Sequence, residues 1–133
     1  MRHFLAAALS MLLLTTACTK TDQPLPTLSG TYVGTFQRQD AAGTGPVSQV
    51  SLTFAGATWS GTSQMPKYPA LCNGTYKVTG ADGITFANAC FWTAEFDWTL
   101  ILSERQKLIV RGDEVEFIRE WGSHHDVYKL RKQ

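Results

Sequence analysis

CNGTYKVTGADGITFANAC, residues 72–90, is the stretch that decides the fold. Two alternating runs flank the turn-forming tetrad Gly80-Ala81-Asp82-Gly83. Gly and Asp supply the backbone conformations and local hydrogen bonds that tight turns need. On one side Gly74, Tyr76 and Val78 share a face; on the other Ile84 and Phe86 do. A hairpin folded about Ala81 sets opposite each other residues whose numbers sum to 162, and Cys72 and Cys90 are such a pair. The spacing therefore predicts a cross-strand disulfide, worth on the order of 3 kcal/mol for so short a loop.

The same period of two extends in both directions. TYVGTFQ aligns Tyr32, Gly34 and Phe36, and SQVSLTF aligns Val50, Leu52 and Phe54. Trp59 and Gly61 follow the turn Ala55-Gly56-Ala57, and QMPKYPAL (64–71) reads as a proline-punctuated loop. Beyond the hairpin, EFDWTLIL (95–102) reads as a strand with Phe96, Trp98, Leu100 and Leu102 on one side. KLIVR and EVEFIRE are joined by Gly112-Asp113, a two-residue hairpin signal, and DVYKLRK ends the chain with Tyr128 and Leu130 in phase. Eight or nine strands at intervals of about 8–12 residues, with no helical period, predict an all-β domain. Short connections make it a single antiparallel meander, closed as an up-and-down barrel or as a closed-off sandwich, since either limits exposed strand edges. The small up-and-down barrel is the expected form. Ten aromatic residues fall in the inward phase: Tyr32, Phe36, Phe54, Trp59, Tyr76, Phe86, Phe96, Trp98, Phe117 and Tyr128. At 150–250 Å² each they nearly fill a small barrel, so a large internal cavity is not expected.

Residues 1–17 follow a different grammar. Arg2 and His3 precede the apolar run FLAAALSMLLL, and Thr15-Thr16-Ala17 are small, as in a secretory signal. The run is shorter than the roughly 20 residues a bilayer-spanning helix needs. Cys18 follows directly, and LLLTTAC is similar to a bacterial lipobox, with Thr15 where Leu is preferred. That resemblance implies cleavage before Cys18 and its acylation, palmitate included, each buried methylene adding about 0.8 kcal/mol of membrane affinity. The alternative is a plain secreted protein. Residues 18–28, with Pro24 and Pro26, then form a tether, and 29–133 the β-domain. Without Arg2 the remaining chain carries 11 basic and 11 acidic side chains. With no basic stripe, nucleic acid is not an expected partner. The expected setting is the bacterial cell envelope, most of all the outer membrane, with the membrane as the first partner and a monomeric domain.

Gly30-Thr31-Tyr32 opening the first strand resembles the Gly-x-Trp start of lipocalins, with Tyr32 in place of the Trp. Arg131 falls where those barrels set an arginine against that aromatic. Lipobox, GTYVGTF first strand and YKLR ending together resemble the small lipocalin-like (calycin-type) lipoproteins of Bacteroidetes, most of which have no assigned function. The resemblance implies an envelope-anchored, lipocalin-like barrel.

Catalytic chemistry has little footing in the residues. His124, His125 and Asp126 read as a polar loop before the last strand, since adjacent strand residues point to opposite faces and no third ligand is evident. Glu95 and Asp97 alternate near Trp92 and Trp98, as a paired-carboxylate site could begin, but read first as exposed carboxylates. No catalytic residue, metal site or cofactor is assigned. For a small apolar ligand the candidate residues are Tyr32, Trp59, Tyr76 and Trp98. For a partner protein they are Met65 and Tyr68 in one loop, and Phe91 and Trp92, which read first as a plug for one barrel end. The expected function is thus binding of a small apolar molecule or an envelope protein, the alternative being inhibition of a protease or lysozyme.

Overall fold

The computed structural model describes residues 24–133. The expected signal (1–17), Cys18 and most of the tether lie outside the described residues. Eight strands make a closed antiparallel barrel in simple sequence order: β1 Gly30–Asp40, β2 Gly43–Ala55, β3 Thr58–Ser63, β4 Asn73–Val78, β5 Gly83–Asn88, β6 Glu104–Arg111, β7 Glu114–Trp121 and β8 His124–Lys132. β8 returns to β1, with Tyr32 opposite Lys132 and Gln39 opposite His125, and so closes the cylinder. This is the predicted meander, with eight strands where the spacing predicts eight or nine, and its form is that of a lipocalin-like barrel.

The register of the decisive hairpin is also as expected. Tyr76 faces Phe86 and Gly74 faces Asn88, and beyond the paired strands Cys72 is bonded to Cys90 with Cα atoms 6.3 Å apart. Alternation fills the interior: Tyr32, Phe36, Leu52, Phe54, Trp59, Ile84, Phe86, Leu108, Val115, Phe117 and Tyr128 are all buried. Their rings meet edge-on or tilted, Phe54 against Tyr76 at 4.9 Å and Phe86 against Phe117 at 5.3 Å, the geometry that aromatic quadrupoles favour. Gly34 and Gly74 are not gaps in this core. A Cβ on Gly34 would overlap the Lys129 carbonyl and one on Gly74 the Ala87 carbonyl, so glycine lets neighbouring strands approach there.

Three expectations are corrected. EFDWTLIL is no strand: residues 89–103 form a loop holding a single 3-10 turn, Trp98–Leu100. The Asp97 side chain accepts from the Thr99 backbone N–H at 2.9 Å, and this local bond competes with a ladder. Phe96 and Trp98 therefore leave the core set, Trp98 standing 55% exposed. His124, His125 and Asp126 are not a loop but the first residues of β8, following a tight Gly122-Ser123 turn with Gly122 at φ 54°. Arg131 does not pack on Tyr32; it faces outward and bonds Glu114.

The two barrel ends differ. At one lie the N-terminal segment, the C-terminus and the short turns 56–57, 79–82 and 112–113. Leu28 is buried there, its carbonyl accepting from the Tyr76 hydroxyl at 3.0 Å. At the other lie the two longest connections, 64–72 and 89–103.

Candidate functional site

The end carrying both long connections is built from a charge the strand pattern places inside. Arg38 continues the inward phase of Tyr32, Gly34 and Phe36, and Asp126 that of Tyr128 and Leu130. The two residues are cross-strand partners. Arg38 donates in bidentate fashion to Asp126, Nε to Oδ1 at 2.6 Å and Nη2 to Oδ2 at 2.7 Å. Nη1 donates to Asp97 Oδ2 at 3.1 Å and Thr99 Oγ1 at 2.9 Å, and Nη2 to the Thr99 carbonyl at 3.1 Å. All five guanidinium N–H bonds are thus used, as burial of a charge requires. Trp121 covers the group at 5.5 Å.

Electrostatics follow this geometry. Burial pulls the Arg38 pKa down, but the hydrogen bond and charge of Asp126, with Asp97, outweigh it and raise it. The Thr99 hydroxyl, its N–H and Arg38 hold the Asp97 carboxyl below the usual carboxylate range against a smaller opposing effect of burial. That is the reverse of what a glycosidase general acid needs, and Glu95 is simply exposed.

Arg38 thereby clamps the loop 89–103 onto the barrel. Three further ties fix the loops to each other. One is the Cys72–Cys90 bond. Another is the Ala70–Ile101 bridge, with Ala70 N donating to the Leu100 carbonyl at 2.9 Å and Leu102 N to the Ala70 carbonyl at 3.2 Å. The third is Lys67, over the Phe96 ring at 5.0 Å and bonded to Thr93 at 3.3 Å.

The sequence-chosen residues separate between the two ends. Tyr32 and Trp59 are core residues, Trp59 donating to the Ala87 carbonyl at 3.2 Å. Tyr76 binds Leu28 at the barrel end away from Trp98. Tyr32, Trp59, Tyr76 and Trp98 therefore do not converge on one pocket. Of the protein-binding set, Tyr68 packs against Phe36 at 5.1 Å and its hydroxyl accepts from the Arg38 backbone N–H at 3.2 Å, and Met65 is half-buried, its carbonyl accepting from the Tyr68 N–H at 3.1 Å. Trp92 is half-buried against Phe96 at 5.6 Å. Phe91 plugs nothing: its ring is fully exposed. Trp98, also exposed, is held by its indole N–H to the Thr93 carbonyl at 2.8 Å. The loop end therefore offers Phe91 and Trp98 on a framework tied at four places, and Arg38, Asp126 and Thr99 are the supports that sequence reasoning missed.

Comparison with protein-family models, with curated proteins and with solved structures gives no match.

Proposed function

We propose that this protein is a lipid-anchored, non-catalytic lipoprotein of the bacterial envelope, acylated at Cys18, whose loop end binds a partner protein. The observation that carries the reading is Phe91: a fully exposed phenylalanine beside the disulfide, on a loop clamped by a buried arginine. An apolar ring offered from a rigid loop loses little entropy on docking and belongs to the residue types that make interface anchors. The N-terminal segment leaves from the opposite barrel end, so a tether from Cys18 turns the loop end away from the membrane. A filled aromatic interior gives no such support to a small apolar ligand inside the barrel. Inhibition of an envelope hydrolase is the case in which the partner is a protease or lysozyme. The resemblance to small Bacteroidetes lipoproteins belongs to this reading too.

A photo-crosslinking side chain in place of Phe91 tests it in intact cells. A discrete adduct is expected from position 91, lost with Trp98→Ser, and none from Gln49, exposed on the outer wall. Equal labelling from both positions, or none, overturns the reading. Cys18→Ala is expected to abolish partitioning into the detergent phase.

A further inference from the structure

The barrel wall is not evenly laced. β6 pairs with β7 only from Lys107 to Arg111, while its first residues, Glu104 to Gln106, pair with β5 alone. β7 runs on to Trp121 along β8. The β6–β7 seam thus parts toward the loop end. It parts where Glu104 takes φ 63°, a left-handed backbone that costs a residue other than glycine on the order of 1 kcal/mol. A cleft of about 450 Å³ occupies the parting, lined by Gln106, Arg119, Lys107 and Ile118 among others.

Two of these side chains are complementary and do not meet. Continuing the register one step past Lys107 and Ile118 sets Gln106 opposite Arg119. Gln106 is 3% exposed; its Nε2 donates to the Ser103 carbonyl at 3.0 Å, which fixes the amide orientation. Its Oε1 has no hydrogen-bond partner among the described residues. A buried acceptor left so costs about 1–3 kcal/mol. The Arg119 side chain is 13% exposed, lies over Trp121 at 5.0 Å and has Glu104, at 3.8 Å, as its ion-pair partner among the described residues. Elsewhere on the cleft wall Arg105 is spoken for by Asp82 and His125 by Glu120.

We infer that the parted β6–β7 seam is a binding site for a small carboxylate bearing a hydrogen-bond donor beside its carboxyl, a hydroxy acid or an amino acid. Arg119 takes the carboxylate through parallel N–H bonds, the geometry in which guanidinium recognises it best. Gln106 Oε1 accepts from the neighbouring hydroxyl or ammonium. Lys107 adds positive charge, Ile118 an apolar wall, and Glu104 competes with the ligand for Arg119. The site uses neither Phe91 nor Trp98 and does not rest on the protein-binding proposal.

Three compounds with one carbon skeleton test it: lactate, alanine and propionate, titrated into purified, isotope-labelled full-length protein in detergent. Lactate or alanine is expected to shift the Gln106 side-chain amide and Arg119 Nε–H resonances, and whichever binds tighter identifies the donor. Propionate, unable to donate to Gln106, is expected to bind about tenfold more weakly. Gln106→Met should erase the preference over propionate, Arg119→Gln should abolish binding of all three, and Glu104→Gln should tighten it several-fold. Resonances unmoved by all three compounds at millimolar concentrations overturn the inference in the unaltered protein. So does propionate binding as well as lactate and alanine.

Discussion

Arg38 is a long cation on an inward strand position, and Asp126 answers it from the next strand with both oxygens. Such pairs gain little over a well-fitted apolar pair, yet removing one partner strands a charge in a low-dielectric interior. Asp126→Ala is accordingly expected to cost about 3–5 kcal/mol in urea denaturation. The double replacement Arg38→Met with Asp126→Leu should cost less than the sum of the single changes. A signal for this pair was present in the sequence: each residue is a charge sitting in the apolar phase of a strand, Arg38 two beyond Phe36 and Asp126 two before Tyr128. Strand periodicity shows that such a residue points inward; it does not show which opposite charge lies across the wall, since register depends on every intervening turn.

At the scale of elements, the hairpin β4–β5 was legible almost completely, because turn chemistry, alternation and cysteine spacing all act within twenty residues of chain. The loop 89–103 was not. Its apolar alternation matches a strand, but Asp97 turns the backbone to Thr99, and Arg38, about sixty residues earlier in the chain, holds that turn. Phe91 was misplaced for a related reason, since nothing local tells a plug from a ring offered to solvent. The disulfide, in contrast, joins the two loops as well as closing its own. Replacing Cys72 and Cys90 together by serine is expected to lower stability by about 3 kcal/mol. It should also quicken amide hydrogen exchange at 64–72 and 89–103 well before the strands are affected, because these loops depend on it most.

For the molecule as a whole, a core packed with aromatic rings sets limits in alkali. Burial, with the nearby Asp126 charge, raises the Tyr128 pKa well above its ordinary value against the smaller pull of Arg38 and Arg119. Burial raises Tyr76 as well. The neutral phenol is thus favoured in the barrel, and its contribution is complete below the unfolded pKa of about 10 and lost as pH rises through the folded value. Absorbance of tyrosinate from Tyr128 is expected to rise only together with loss of the β circular dichroism signal. Tyr128→Phe should move that alkaline midpoint upward.

Closure of the cylinder has a kinetic consequence. The seam between β1 and β8 joins Tyr32 to Lys132, and Gln133 N reaches the Thr31 carbonyl at 2.9 Å. A chain emerging N-terminus first from a ribosome holds β1 in waiting until β8 has followed. The barrel can be completed only when β8 is free, and loop closure over the span from β1 makes the step slow. Until that moment the chain remains threadable.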